Sequence, residues 1–130
     1  MSGHGTPLWN ELSTSDVEAA KAFYARLLGW QYDIMPMPEG DYVVAKAGDA
    51  MTGGIMKLPM PEMASQWVPY FHVDDVDAAH AVAAEAGGTT LTPVTDVSNV
   101  GRMFWATDPT GAMVAFMTPS EETTGEASAD

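Results

Sequence analysis

The residue whose type and setting could do most chemistry is Glu11. It lies in Leu8-Trp9-Asn10-Glu11-Leu12-Ser13, a stretch whose pattern reads as a β-strand. A carboxylate inside a half-buried strand costs free energy unless it has a partner or a ligand. Glu11 therefore reads as a general base, as an anchor for a cationic or hydroxylic group, or as a structural hydrogen-bond acceptor. Alternation sets Trp9 and Ser13 on the same face as Glu11. The same parity groups Val68, Tyr70 and His72 in stretch 67–73, Gly54, Met56 and Leu58 in 53–58, and Met113, Ala115 and Met117 in 112–117. Trp9, Met56, Tyr70 and Met113 can wall a ligand, and methionine adapts to irregular shapes. His72 ends its strand beside Asp74, as a clamp on a ligand or a partner of that aspartate. Arg102 follows Gly101 at a strand start and could hold a carboxylate or phosphate, or pair with a neighbouring acid. Trp105 could stack on a ligand or pack the core. His4 and His80 read as solvated or structural.

Other chemistries are excluded. There is no cysteine, so disulfides, thiolate nucleophiles and cysteine-ligated zinc are absent. No Gly-x-Ser-x-Gly elbow frames Ser13 or Ser15. The glycine-rich run 48–54 lacks the lysine of a phosphate loop and precedes no helix, and no dinucleotide fingerprint opens one. The 130 residues carry 18 acidic side chains against 5 basic ones, a formal net charge of −13. Such a surface repels nucleic acid and anionic membranes, and favours either plain solubility or a cationic ligand. No apolar run is long enough for a membrane span and no signal-like segment opens the chain, so the expected location is cytoplasmic.

These residues are positioned by an internal repeat. An offset of 59 positions sets Asp16 on Asp75, Val17 on Val76, Ala19 and Ala20 on Ala78 and Ala79, Gly29 on Gly88 and Asp49 on Asp108. Stretches 16–30 and 75–89 each read as an amphipathic helix. Ser15 is the expected N-cap of the first, with Glu18 closing a capping box, and Gly29 its left-handed terminus. Asp74 or Asp75 supplies negative charge at the start of the second. Strands are expected at 8–13, 31–35, 42–47 and 53–58, then at 67–73, 90–94, 102–107 and 112–117. A Pro/Gly turn (Pro36, Pro38, Gly40) joins the second and third, and Asp108-Pro109-Thr110-Gly111 the last two. The order is βαβββ twice, an α+β fold. Expected boundaries are a mobile N-terminus at 1–6, one domain at 7–119 and an acidic disordered tail at 120–130. Within the domain, module one is 7–58, the linker 59–66 and module two 67–119.

Two such modules, with Phe23-Tyr24 and Leu28-Gly29-Trp30 closing the first helix, resemble the vicinal oxygen chelate superfamily of glyoxalases, bleomycin-resistance proteins and extradiol dioxygenases. Val73-Asp74-Asp75-Val76-Asp77-Ala78-Ala79 and Asp108-Pro109-x-Gly111 strengthen the likeness, which covers residues 6–119. Gly5-Thr6-Pro7-Leu8-Trp9 and Gly101-Arg102 are similar to short glyoxalase-like members. The resemblance implies a curved, mixed pair of sheets enclosing a cavity. It also implies a homodimer. In metal-using members, ligands on the first, fourth, fifth and eighth strands hold a divalent metal; carried over by position they are Trp9, Met56, Val68 and Ala115. None can bind metal as the family does, so no metal or other cofactor is expected, a divalent metal being the alternative. The resemblance then implies an apolar cavity for a small organic molecule, of the resistance or sequestration kind. Trp9, Met56, Tyr70, His72, Arg102, Trp105 and Met113 would contact the ligand, with Glu11 as polar anchor. The alternative is a glyoxalase-like lyase or isomerase, or a dioxygenase-related enzyme, with Glu11 as catalytic base and Arg102 or His72 as clamp. A third reading is an interaction module whose pocket has closed.

Overall fold

A computed structural model describes residues 3–37, 41–60, 62–97 and 100–120. Pro38 and Gly40 of the expected turn, Pro61 of the linker, the first two residues and the acidic tail from 121 lie outside the described residues. The elements are β1 (Pro7–Thr14), α1 (Val17–Leu28), β2 (Gln31–Met35), β3 (Tyr42–Ala47) and β4 (Ala50–Lys57). There follow β5 (Gln66–His72), α2 (Val76–Glu85), β6 (Thr89–Thr90), β7 (Thr95–Val97), β8 (Gly101–Thr107) and β9 (Met113–Pro119). The chain divides into two compact units, Trp9–Val68 and Met1–Leu8 with Pro69–Asp130.

In the first unit the strand order is β2-β3-β4-β1. β1 and β4 run parallel, and Glu11 faces Gly54 while Ser13 faces Met56 across that ladder. β3 pairs antiparallel with both neighbours. One face buries Leu12, Val43 and Ile55 under Val17, Ala20 and Tyr24 of α1. Ile55 is 0% exposed, and removing such a side chain from water stabilises the fold by roughly 1.5–3 kcal/mol.

α1 begins where Asp16 turns extended and its carboxylate accepts the Ala19 N–H at 3.0 Å. The cap is thus Asp16, not Ser15. Helical geometry starts at Val17, so the side chain that reaches the third helical N–H must come from the residue just before it. Ser15 stands one position too early; its own N–H donates to Ser65 Oγ, and Glu18 pairs with Lys21 instead of closing a box. Gly29 ends the helix at φ 71°, a left-handed conformation that a side chain disfavours.

The second unit repeats the plan as β5-β9-β8, with β5 and β9 parallel and β8 antiparallel to β9. Asp75, the repeat mate of Asp16, caps α2 through the Ala78 N–H at 3.1 Å. Val73, Val76, Phe104 and Ala106 form the core, flanked by Ala79, Ala83 and Phe116. The strand expected at 90–94 is two short strands, β6 and β7, both on β8. Its middle breaks because the N–H groups of Leu91 and Thr92 converge on one acceptor, the Trp105 carbonyl, and Pro93 has none to offer. Among the described residues no helix is long and apolar enough to cross a membrane.

Candidate functional site

Helix-side burial of Leu12, Val43 and Ile55 forces the alternate side chains of the first unit's sheet to its other face. There Trp9, Glu11 and Ser13 of β1 join Tyr42 of β3 and Gly54 and Met56 of β4. The Trp9 indole donates to the Tyr42 hydroxyl at 2.8 Å, and that hydroxyl donates to Glu11 Oε1 at 2.9 Å. Glu11 is 5% exposed. An indole nitrogen can only donate. The Tyr42 oxygen therefore accepts from Trp9 and sends its single proton to Glu11, which fixes Oε1 as an acceptor.

Tyr42 is pushed well above the usual tyrosine range, first by burial and then by the negative charge of Glu11. The hydroxyl stays protonated and remains a donor. Its place depends on Gly54. β3 and β1 flank β4 in this sheet, about 10 Å apart as two strand spacings, and a Cβ on Gly54 would overlap the Tyr42 hydroxyl. Sequence reasoning did not single out Tyr42. The available signal was Gly54, since a glycine inside a strand often marks a close approach.

Ser13 lies two residues beyond Glu11, on the same face and 0% exposed. Among the described residues its hydroxyl has no hydrogen-bond partner. Leaving a buried hydroxyl unpaired costs about 1–3 kcal/mol.

The second unit carries a related bridge. The Trp105 indole donates to the Tyr70 hydroxyl at 2.8 Å, both side chains being buried. Tyr70 and Trp105 are each the lateral partner of Ala115 on the strand between them, so a small residue again lies under an indole–phenol bond. The two pairs use corresponding strands with the partners exchanged: Trp from β1 and Tyr from β3 in one, Tyr from β5 and Trp from β8 in the other. Met113 shares the face of Trp105. His72 packs against Gly3, where a Cβ would meet its Nδ1 at 2.6 Å, and its Nε2 lies 3.8 Å from Asp74. His4 accepts the Asp74 N–H at 3.0 Å.

Arg102 stands apart from Tyr70 and Trp105. Its parity is that of Phe104, so it projects to the α2 side, where it donates to Asp77 at 2.7 Å and to Asp96 at 2.9 Å. Lys46 pairs with Asp33 at 3.2 Å.

A divalent metal, which the fold family implies, finds no fitting donor set. The four positions carried over by the resemblance offer an indole, a thioether and two alkyl groups. Among the described residues no three His, Asp or Glu side chains gather as a metal group.

Comparison with known proteins agrees with this architecture. The chain is 42% identical over 119 residues to CFP32 of Mycobacterium tuberculosis, a protein named as a glyoxylase, covering 91% of this chain and 46% of that one. It is 29% identical over 126 residues to the anthracycline biosynthesis protein DnrV of Streptomyces peucetius, covering 85% of this chain and 46% of DnrV. The chain thus spans about half the length of the curated relatives it matches. The crystal structure of methylmalonyl-CoA epimerase from Mycobacterium tuberculosis superposes with a TM-score of 0.64 at 12% identity, over 96% of this chain and 95% of the epimerase. At that identity the likeness speaks for the fold alone. The repeated βαβββ plan and a family model matching residues 7–116 lead to one conclusion: the chain belongs to the Glyoxalase/Bleomycin resistance protein/Dioxygenase superfamily.

Proposed function

We propose that this protein binds a small organic molecule through the helix-free face of its first unit, without a catalytic metal. The observation that carries this reading is the buried Glu11 carboxylate, held by a one-way chain from Trp9 through Tyr42. Retaining a carboxylate in an apolar setting costs stability, and a polar anchor for a ligand gives that cost a use. Met56 and Trp9 supply apolar surface beside it, as ligand sites require. Tyr70, Trp105, Met113 and His72 offer the second unit's own aromatic and polar face. A thermal-shift screen across apolar small molecules is the test. Hits whose effect disappears in Glu11→Gln support the reading, and a screen without hits refutes it.

One observation favours catalysis as a second reading: the relative sharing 42% identity is named as a glyoxylase. In that case Glu11 takes a proton from a bound hemithioacetal, and turnover lost in Glu11→Gln but retained in Arg102→Ala is the expected pattern. For either reading we propose that the chain acts as a homodimer. Phe23, Leu27 and Leu28 on α1 are 53%, 63% and 54% exposed, and apolar patches of this kind mark interfaces. Light scattering at micromolar concentration checks the mass.

A further inference from the structure

Ser13 and Glu11 share one face of β1, and their polar atoms differ in one respect. Oε1 of Glu11 is supplied with a donor by Tyr42 at 2.9 Å, whereas Ser13 Oγ, equally removed from water, has no partner among the described residues. An orphaned hydroxyl in a core is a standing cost that replacement by alanine would remove. Serine here weakens the empty protein, so a second state in which Oγ is paired would account for it. The nearest register partners of this face, Gly54 opposite Glu11 and Met56 opposite Ser13, offer that hydroxyl no side-chain donor or oxygen acceptor. A bound molecule could supply the partner that this ladder lacks.

We propose that Ser13 is a ligand-contact residue, and that the ligand is an organic cation bearing a second polar group, its cationic end on Glu11 and its polar group on Ser13, with Tyr42 positioning the carboxylate. Along a strand, residues two apart are separated by about 7 Å, and the longer glutamate side chain can lean to close part of that gap. Groups on adjacent carbons of one small molecule can then meet both side chains. The carboxylate's charge selects the sign of the ligand: it repels an anion and attracts a cationic donor, while the Tyr42 hydrogen bond holds its orientation. The formal charge of −13 acts the same way at longer range. Tyr42 does not touch the ligand in this arrangement. It holds Glu11 in one orientation, and Gly54 leaves the room for it to do so.

The inference rests on the binding reading given above, and two probes separate their failures. Phenylethanolamine carries an ammonium and a hydroxyl on adjacent carbons; phenylpropionate has the same ring with an anionic end. Calorimetric titration of the full chain should show binding of the first and not the second. Ser13→Ala should weaken phenylethanolamine about ten-fold or more while raising the melting temperature of the ligand-free protein by on the order of 4 °C. That opposition is the signature of a hydroxyl kept for a ligand, because a merely structural serine would lose stability on removal. Tyr42→Phe should also weaken binding about ten-fold, yet cost nothing further in a Glu11→Gln background, since its effect passes through that carboxylate. A Ser13→Ala protein that melts lower, or binds phenylethanolamine as wild type does, overturns the assignment of Ser13. Preference for phenylpropionate, or equal binding of both, overturns the cation and leaves the binding reading standing. Binding of neither probe, together with an empty small-molecule screen, overturns both.

Discussion

The Tyr42 hydroxyl occupies space that a Cβ on Gly54 would need. The tyrosine reaches Glu11 across β4 because the strand between them carries no side chain at that point. Gly54→Ala should therefore displace Tyr42 and cost about 1–3 kcal/mol of stability by overpacking. Urea unfolding measures the loss. The double variant Gly54→Ala with Tyr42→Ala should cost less than the sum of the two single changes. Additive losses would show that the two positions do not share that space.

Tyr42 should not ionise while the protein is folded. Its native value is raised by burial and by Glu11, so the native state holds this proton more tightly than the unfolded chain does. The resulting stability is fully present below the unfolded tyrosine value of about 10 and is lost as pH climbs above it. Ultraviolet titration should show tyrosinate appearing together with unfolding. In Tyr42→Phe the alkaline unfolding step should release one tyrosinate fewer.

Zinc, nickel or manganese added to purified protein should neither bind at one equivalent per chain nor raise the melting temperature, and a chelator should change neither. A catalytic zinc site needs three protein ligands, and among the described residues no three His, Asp or Glu side chains gather as a metal group. Elemental analysis of untagged protein reads the result directly.

Arg102 is a strut between α2 and β7, through Asp77 and Asp96. Arg102→Ala should lower the melting temperature slightly at low salt and hardly at all at high salt, because the pair is exposed and screened. Binding of any ligand held by Glu11 should persist. Loss of that binding in a folded Arg102→Ala protein would return Arg102 to the site.

Much of this architecture can be read in the sequence because it is periodic. The repeat at offset 59 and the alternation around Glu11 depend on which side chains must leave water. What the sequence does not show depends on register. Tyr42 meets Glu11 only because β3, β4 and β1 lie side by side in one alignment, and nothing near Tyr42 in the chain announces that. Ser13 could be placed on the right face, but a lack of partners is visible only once the neighbours are known. The sequence leaves the cap ambiguous by one residue, since Ser15 and Asp16 are both good caps and only the first helical turn decides between them. The break between β6 and β7 follows from Pro93, a residue that a purely apolar reading of 90–94 passes over.

The exchanged donor and acceptor of the two indole–phenol bridges bear on the history of the duplication. Trp9 falls on Val68 at the repeat offset, Tyr42 on Gly101, Glu11 on Tyr70 and Lys46 on Trp105. The bridges thus occupy different positions of the repeat, and each half keeps its own pair. At the buried Tyr70–Trp105 bridge, either residue arriving alone would have left a buried polar group waiting, at a cost of about 1–3 kcal/mol. The two members of each bridge are thus expected to have changed as a pair. In descendants of the same duplication, positions 70 and 105 should be kept together or lost together, and so should 9 and 42.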